Sequence, residues 1–276
     1  DTPTPSPTAA PTATPVEILD QGQLIAATIP APSLEGNMIG AATEQRVSIY
    51  LPPSYEVTDW RYPLVVMLPG YGTPVDFFAS GTNIRSSMDA MIRGGAIQEM
   101  IIVVAKGQHA LGGSFYTNSP VSGNWEDWIA EDVVGYMDTT YRTIADREAR
   151  GVAGHSMGGY GALALAMYRA DVFGAVYALS PGLFDEQALE DTHMFTPQGT
   201  IVSTLETIQE LAVMDTDQAH EQFVSQEQPM VINYGMAFAP DTDGPPPHMV
   251  YPYTYVDDEL VQDEEVWVDW AGGFGN

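Results

Sequence analysis

Residues 150–168, RGVAGHSMGGYGALALAMY, decide how the rest of the chain is read. Gly154 to Gly158 fits G-x-S-x-G, a pattern in which a strand stops in a tight turn and a helix begins at once. The flanks supply that context. Arg150-Gly151-Val152-Ala153 is short and partly apolar, as a buried strand end is, and Gly161 to Tyr168 is rich in Ala, Leu and Met, which form helices well. The glycines around Ser156 admit a strained backbone with close neighbours. Its hydroxyl then stands at a helix N-terminus, where backbone N–H groups and the helix dipole favour developing negative charge. A glycine-rich turn with an incidental serine would spell the same five letters. The strand before and the helix after favour the nucleophile reading.

The 276 residues suffice for one α/β domain with a substantial core, and 45% are apolar. No apolar run is long enough to span a bilayer, so no membrane insertion is expected. The absence of cysteine excludes disulfides, cysteine metal sites and a thiol nucleophile. Charge is the oddest property: 9 Lys+Arg stand against 37 Asp+Glu, a net −28, and the last basic residue is Arg169. Such a surface repels nucleic acid and anionic lipid, which argues against both as partners. It fits solubility, or a salty or acidic medium; calcium or a basic partner is the sharper alternative. Asp241-Thr242-Asp243-Gly244 faintly resembles a calcium loop, but Pro245-Pro246-Pro247 breaks the pattern. No metal and no cofactor are expected.

Residues 1–15, DTPTPSPTAAPTATP, have the composition of an extended spacer resembling an O-glycosylated stalk, which points to a secreted or cell-surface chain. Residues 16–276 then form the folded domain. Gln23–Ile29 and Gln45–Leu51 alternate like strands. Tyr62–Leu68 and Met100–Ala105 are continuous apolar runs, as in strands buried on both faces. Pro69-Gly70-Tyr71-Gly72 follows the first of these runs and offers backbone for an oxyanion hole. Ser87–Gly94 reads as a helix. Asn124–Tyr141 reads as an amphipathic helix with Trp125, Trp128, Ile129, Val133, Tyr136 and Met137 at three-to-four spacing. Gly174–Ser180 is the next strand. Alternating strands and helices predict a mostly parallel sheet covered on both faces.

Taken together, these pieces resemble the esterase D-like branch of the α/β-hydrolases, which includes feruloyl esterases and mycolyltransferases. The resemblance rests on Tyr50–Tyr55, Arg61–Gly70, Arg147–Leu163 and Phe173–Pro181, and covers about residues 45–185. It implies that Ser156 is the nucleophile of an acyl-enzyme route on carboxylic esters, with the Met157 N–H as one oxyanion donor. The second donor would be the Tyr71 N–H, although Pro69-Gly70 stands where the family usually has His-Gly. His155, inside the turn, is expected to pack rather than act as base.

A serine nucleophile needs a base and an acid to orient it, and in this fold both follow the serine. The histidines after Ser156 are His193, His220 and His248. The family's late Gly-x-x-Asp and Gly-x-His stretches are missing, and Trp270–Asn276 reads as a glycine-rich end without a helix. The acid and base are therefore unassigned, and the sheet is expected to be incomplete at its C-terminal end. Three accounts stay open. In one, His248 with Asp241, Asp243 or an acid near Asp215 serves; in another, a second chain or further sequence completes the fold; in the third, an inactive scaffold binds or self-assembles as a homo-oligomer. Residues 186–228 read as acidic helices with Leu205, Ile208, Leu211 and Val213 on one apolar face, a lid or a plain cover.

Overall fold

Six of the alternating and apolar runs pair into one sheet, because each has an apolar face too short to bury alone. The computed structural model describes residues 21–76, 81–109, 111–183, 186–215, 218, 219, 221, 222 and 230–275. The expected spacer at 1–15, part of the 186–228 stretch and His220 lie outside the described residues.

The strands are β1 (Gln23–Pro30), β2 (Glu44–Leu51), β3 (Leu64–Leu68), β4 (Ile101–Ala105), β5 (Arg150–His155) and β6 (Ala175–Leu179), in the spatial order β1-β2-β4-β3-β5-β6. β1 and β2 pair antiparallel, as do β2 and β4, while β4-β3-β5-β6 is parallel throughout. The parallel part is the part that carries the site, since all its strands end on the same side.

Helices cover both faces. α1 (Ile84–Arg93) starts three residues before the expected Ser87 and sets Ile84 and Met88 on Tyr50 and Ile102. α2 occupies 125–140, as its Trp and Ile spacing predicts, with a π-helical stretch at Trp128–Val133. It buries Trp125, Trp128, Ile129, Val133 and Met137 completely on the opposite face, beside Val66, Val103 and Val152. α3 (Met157–Tyr168) packs on β5 and β6. Two charged clasps hold α2 in place. Asp138 pairs with the buried Arg150 at 2.6 Å, and Arg169, just past α3, pairs with Asp127 at 2.6 Å, Glu131 at 2.7 Å and Glu126 at 3.7 Å.

Among the described residues β6 has no outer neighbour, as expected of an incomplete sheet. Its side chains show it: Val176 is 44%, Tyr177 67% and Leu179 49% exposed.

Beyond β6 come α4 (Glu186–Glu190), α5 (Gln198–Ala212), α6 (Met230–Phe238), the hairpin β7 (Tyr253–Val256) with β8 (Glu259–Gln262), and α7 (Glu264–Gly275). Leu205 and Leu211 are buried and Ile208 packs against the core, but Val213 lies past the end of α5 and is exposed. The expectation of a helix-free end is overturned by α7. The Asp263 carboxylate accepts the N–H groups of Glu265 and Val266, which starts the helix. Trp267 and Trp270 bury against Phe195, and Gly273 fits beneath Phe238 and Tyr234, where a Cβ would overlap. A glycine that is costly in an isolated helix is here required by packing.

Candidate active site

Ser156 stands between the end of β5 and the first turn of α3, with φ 55 and ψ −120. That backbone is rare for a residue with a side chain and is held from both sides. The Ser156 N–H donates to the Leu179 carbonyl at 3.0 Å, and its carbonyl accepts from Tyr160 N–H at 3.0 Å and Gly182 N–H at 3.2 Å. The surrounding glycines are there for space: a Cβ on Gly154 would overlap the Gly158 carbonyl, and one on Gly158 would overlap that of Leu68. Strand and helix thus touch backbone to backbone, which forces the sharp turn. Met157, buried, is the first helical residue, so its N–H is among those with no partner within the helix.

The loop after β3 approaches from the other side. A Cβ on Gly70 would sit 3.3 Å from both Ser156 Cβ and the His155 carbonyl oxygen, so nothing separates this backbone from the serine. The loop is tied down carbonyl by carbonyl. Tyr116 donates its hydroxyl to the Pro69 carbonyl at 2.8 Å. The Gly70 carbonyl accepts from Gln108 Nε2 at 2.6 Å and from Thr73 N–H at 3.1 Å. The Tyr71 ring is braced at its far end, where Asn233 Nδ2 donates to the phenol oxygen at 2.8 Å. Burial pushes the Tyr116 hydroxyl well above the usual phenol range, which keeps it a donor. Ser156, Met157 and Tyr71, far apart in sequence, therefore border one spot. None of the loop's supports was singled out from the sequence. They come from positions far away along the chain, with no spacing to betray them.

The histidines give a different picture. His155 is exposed rather than packed, with its Nδ1 3.6 Å from the place of a Gly70 Cβ. His193 is exposed, and His248 is buried in its own loop with Nδ1 2.9 Å from the Gly244 carbonyl oxygen. His109 sits against Trp125; burial and then the nearby Lys106 push its pKa down to about 3, so its ring stays neutral. No described histidine is hydrogen-bonded to Ser156 Oγ. Asp241, weighed as an acid or a calcium ligand, instead closes a turn by accepting from the N–H groups of Asp243 and Gly244.

The similar known proteins are esterases. The Esterase family model matches residues 41–227. An esterase of Mycobacterium tuberculosis is 35% identical over 123 residues, 42% of this chain and 25% of its own length. An endo-1,4-beta-xylanase/feruloyl esterase of Xylanibacter ruminicola is 27% identical over 154 residues, 53% of this chain and 21% of its own length. The chain thus spans about a quarter of the length of the curated relatives it matches. Among solved structures, a ferulic acid esterase superposes with a TM-score of 0.54 at 25% identity, covering 74% of this chain and 77% of that one.

Proposed function

The chain belongs to the Esterase family, and from that premise we propose that it hydrolyses carboxylic esters through an acyl-enzyme on Ser156. The observation that carries this reading is the strained serine at the head of α3 with the Gly70 backbone against it. In the proposed step, Ser156 Oγ adds to the ester carbonyl as a base takes its proton. The tetrahedral oxyanion is met by the N–H groups of Met157 and Tyr71. Collapse then expels the alcohol, which recovers that proton, and water releases the acid by the same route. Hydroxycinnamoyl esters are the first substrates to try, since a feruloyl esterase and a ferulic acid esterase are among the similar proteins.

The base and acid are best supplied by a segment pairing along the open edge of β6. That edge ends beside the serine, because the Leu179 carbonyl already receives the Ser156 N–H. A parallel strand added there, about 5 Å farther out, would deliver its following loop to the same side of the sheet. The Thr/Pro-rich 1–15 stretch supports a secreted or cell-surface setting.

The test pairs fluorophosphonate labelling with hydrolysis of p-nitrophenyl acetate and methyl ferulate by the wild type and Ser156→Ala. Turnover and label on Ser156 in the wild type, with both lost in a folded S156A, is the expected outcome. Undiminished turnover in S156A would sink the assignment.

A further inference from the structure

We propose that Gln108 is a positioning residue for the oxyanion hole: its side-chain amide sets the plane of the Gly70–Tyr71 peptide and so aims the Tyr71 N–H. This rests on the ester-hydrolase reading above and goes beyond it, because Gln108 lies on neither the elbow nor the loop.

The geometry begins with the peptide itself. Cis peptides among the described residues occur at Thr196-Pro197 and Pro246-Pro247, so Gly70–Tyr71 is trans. In a trans peptide the C=O and the following N–H point in opposite directions. A group that fixes the Gly70 carbonyl therefore fixes the direction of the Tyr71 N–H. Gln108 Nε2 does so at 2.6 Å, a short bond. Only the NH2 end of the amide can face a carbonyl, which also settles which way round the amide lies. Glycine at position 70 makes the tether matter, because its backbone has the widest torsional freedom of any residue and lies directly against the serine.

The support carrying Gln108 touches both sides of the hole. Gln108-His109 pairs antiparallel with Gly112-Gly113 in a short ribbon. The Gly113 backbone lies against the Met157 sulfur and the Tyr71 ring, and Gly112 against the Tyr71 hydroxyl and Asn233. The ribbon is thus a template spanning the residues that supply both proposed donors. Removing the Gln108 amide would leave the Gly70 carbonyl still bonded to Thr73 N–H, so the loss should fall on orientation rather than on folding.

Gln108→Glu isolates this role. The side chain keeps its shape, but an ionised carboxylate cannot donate to a carbonyl; once protonated, its O–H can. At pH about 8 we expect kcat on p-nitrophenyl acetate to fall about tenfold or more with KM little changed, because the lost interaction belongs to the transition state. As pH is lowered toward about 5, the ratio of variant to wild-type kcat should rise as the carboxyl gains its proton. Gln108→Met, similar in length and without a donor, should show the loss without the recovery, and it serves alone if Q108E does not fold. Equal kcat in variants and wild type, or a deficit confined to KM, would overturn the proposal. A wild type with no turnover would count against the ester-hydrolase reading instead. The positioning would then be judged by NMR, where the Tyr71 amide and Gly70 carbonyl resonances must move in Q108M. Unmoved resonances would overturn it.

Discussion

Contact between backbones, with no side chain between, is what builds the turn at Ser156. Gly158→Ala tests it. Alanine gains about 1 kcal/mol of helix propensity, but its Cβ would overlap the fixed Leu68 carbonyl, which cannot turn aside like a side chain. The clash wins, and we expect a net loss of about 2 kcal/mol in chemical denaturation. His109 gives a second expectation at this scale. Its pKa in the fold, about 3, lies below the ordinary 6.5, so the unfolded chain binds the extra proton. The stability tied to the neutral ring is complete above pH about 6.5 and falls by about 1.4 kcal/mol per pH unit between there and pH about 3. His109→Asn, whose side-chain oxygen could still accept the Leu111 N–H, should flatten the wild-type slope by that amount in the same window. Equal slopes would show that the ring is not held neutral. The serine was legible in the sequence because its requirement is local: glycines on either side, and a strand and helix in the flanks. Gln108, Tyr116 and Asn233 were not, since what they touch is settled only when distant loops meet.

Elements divide along the same line. α2 could be read from Trp125, Trp128, Ile129 and Val133 because it has one apolar face and one job, covering the sheet. α7 could not. Its glycines argue against a helix until Phe238 and Tyr234 come to lie over Gly273, and the Tyr234 hydroxyl reaches the Trp270 carbonyl at 2.6 Å. The β7–β8 hairpin turns on Asp257-Asp258, both with positive φ, where Asn-Gly would have announced it. β6 carries the prediction at this level. An edge strand with two exposed apolar side chains on one face and no lysine is a template for pairing. Tyr177→Lys should therefore lower concentration-dependent association in light scattering. An unchanged profile would mean that the edge is not what associates.

For the whole molecule the governing quantity is charge. A net −28 opposes compaction through self-repulsion, so the melting temperature should climb between about 0.01 M and about 0.15 M NaCl as the screening length shortens from about 30 to about 8 Å. A flat response would mean that the acids are already screened by bound cations. The few positive groups therefore matter individually, and Arg169 most of all, since it is the last of them and three carboxylates of α2 surround it. Trypsin cuts after Lys or Arg, so everything from Ala170 to Asn276 is a single tryptic fragment. Cleavage at its start requires the Arg169 clasp to open, and its release requires β6 to leave β5 as well. The same cut parts the nucleophile's half of the chain from β6 and α4–α7, so protease resistance there reads how firmly the two are fastened together.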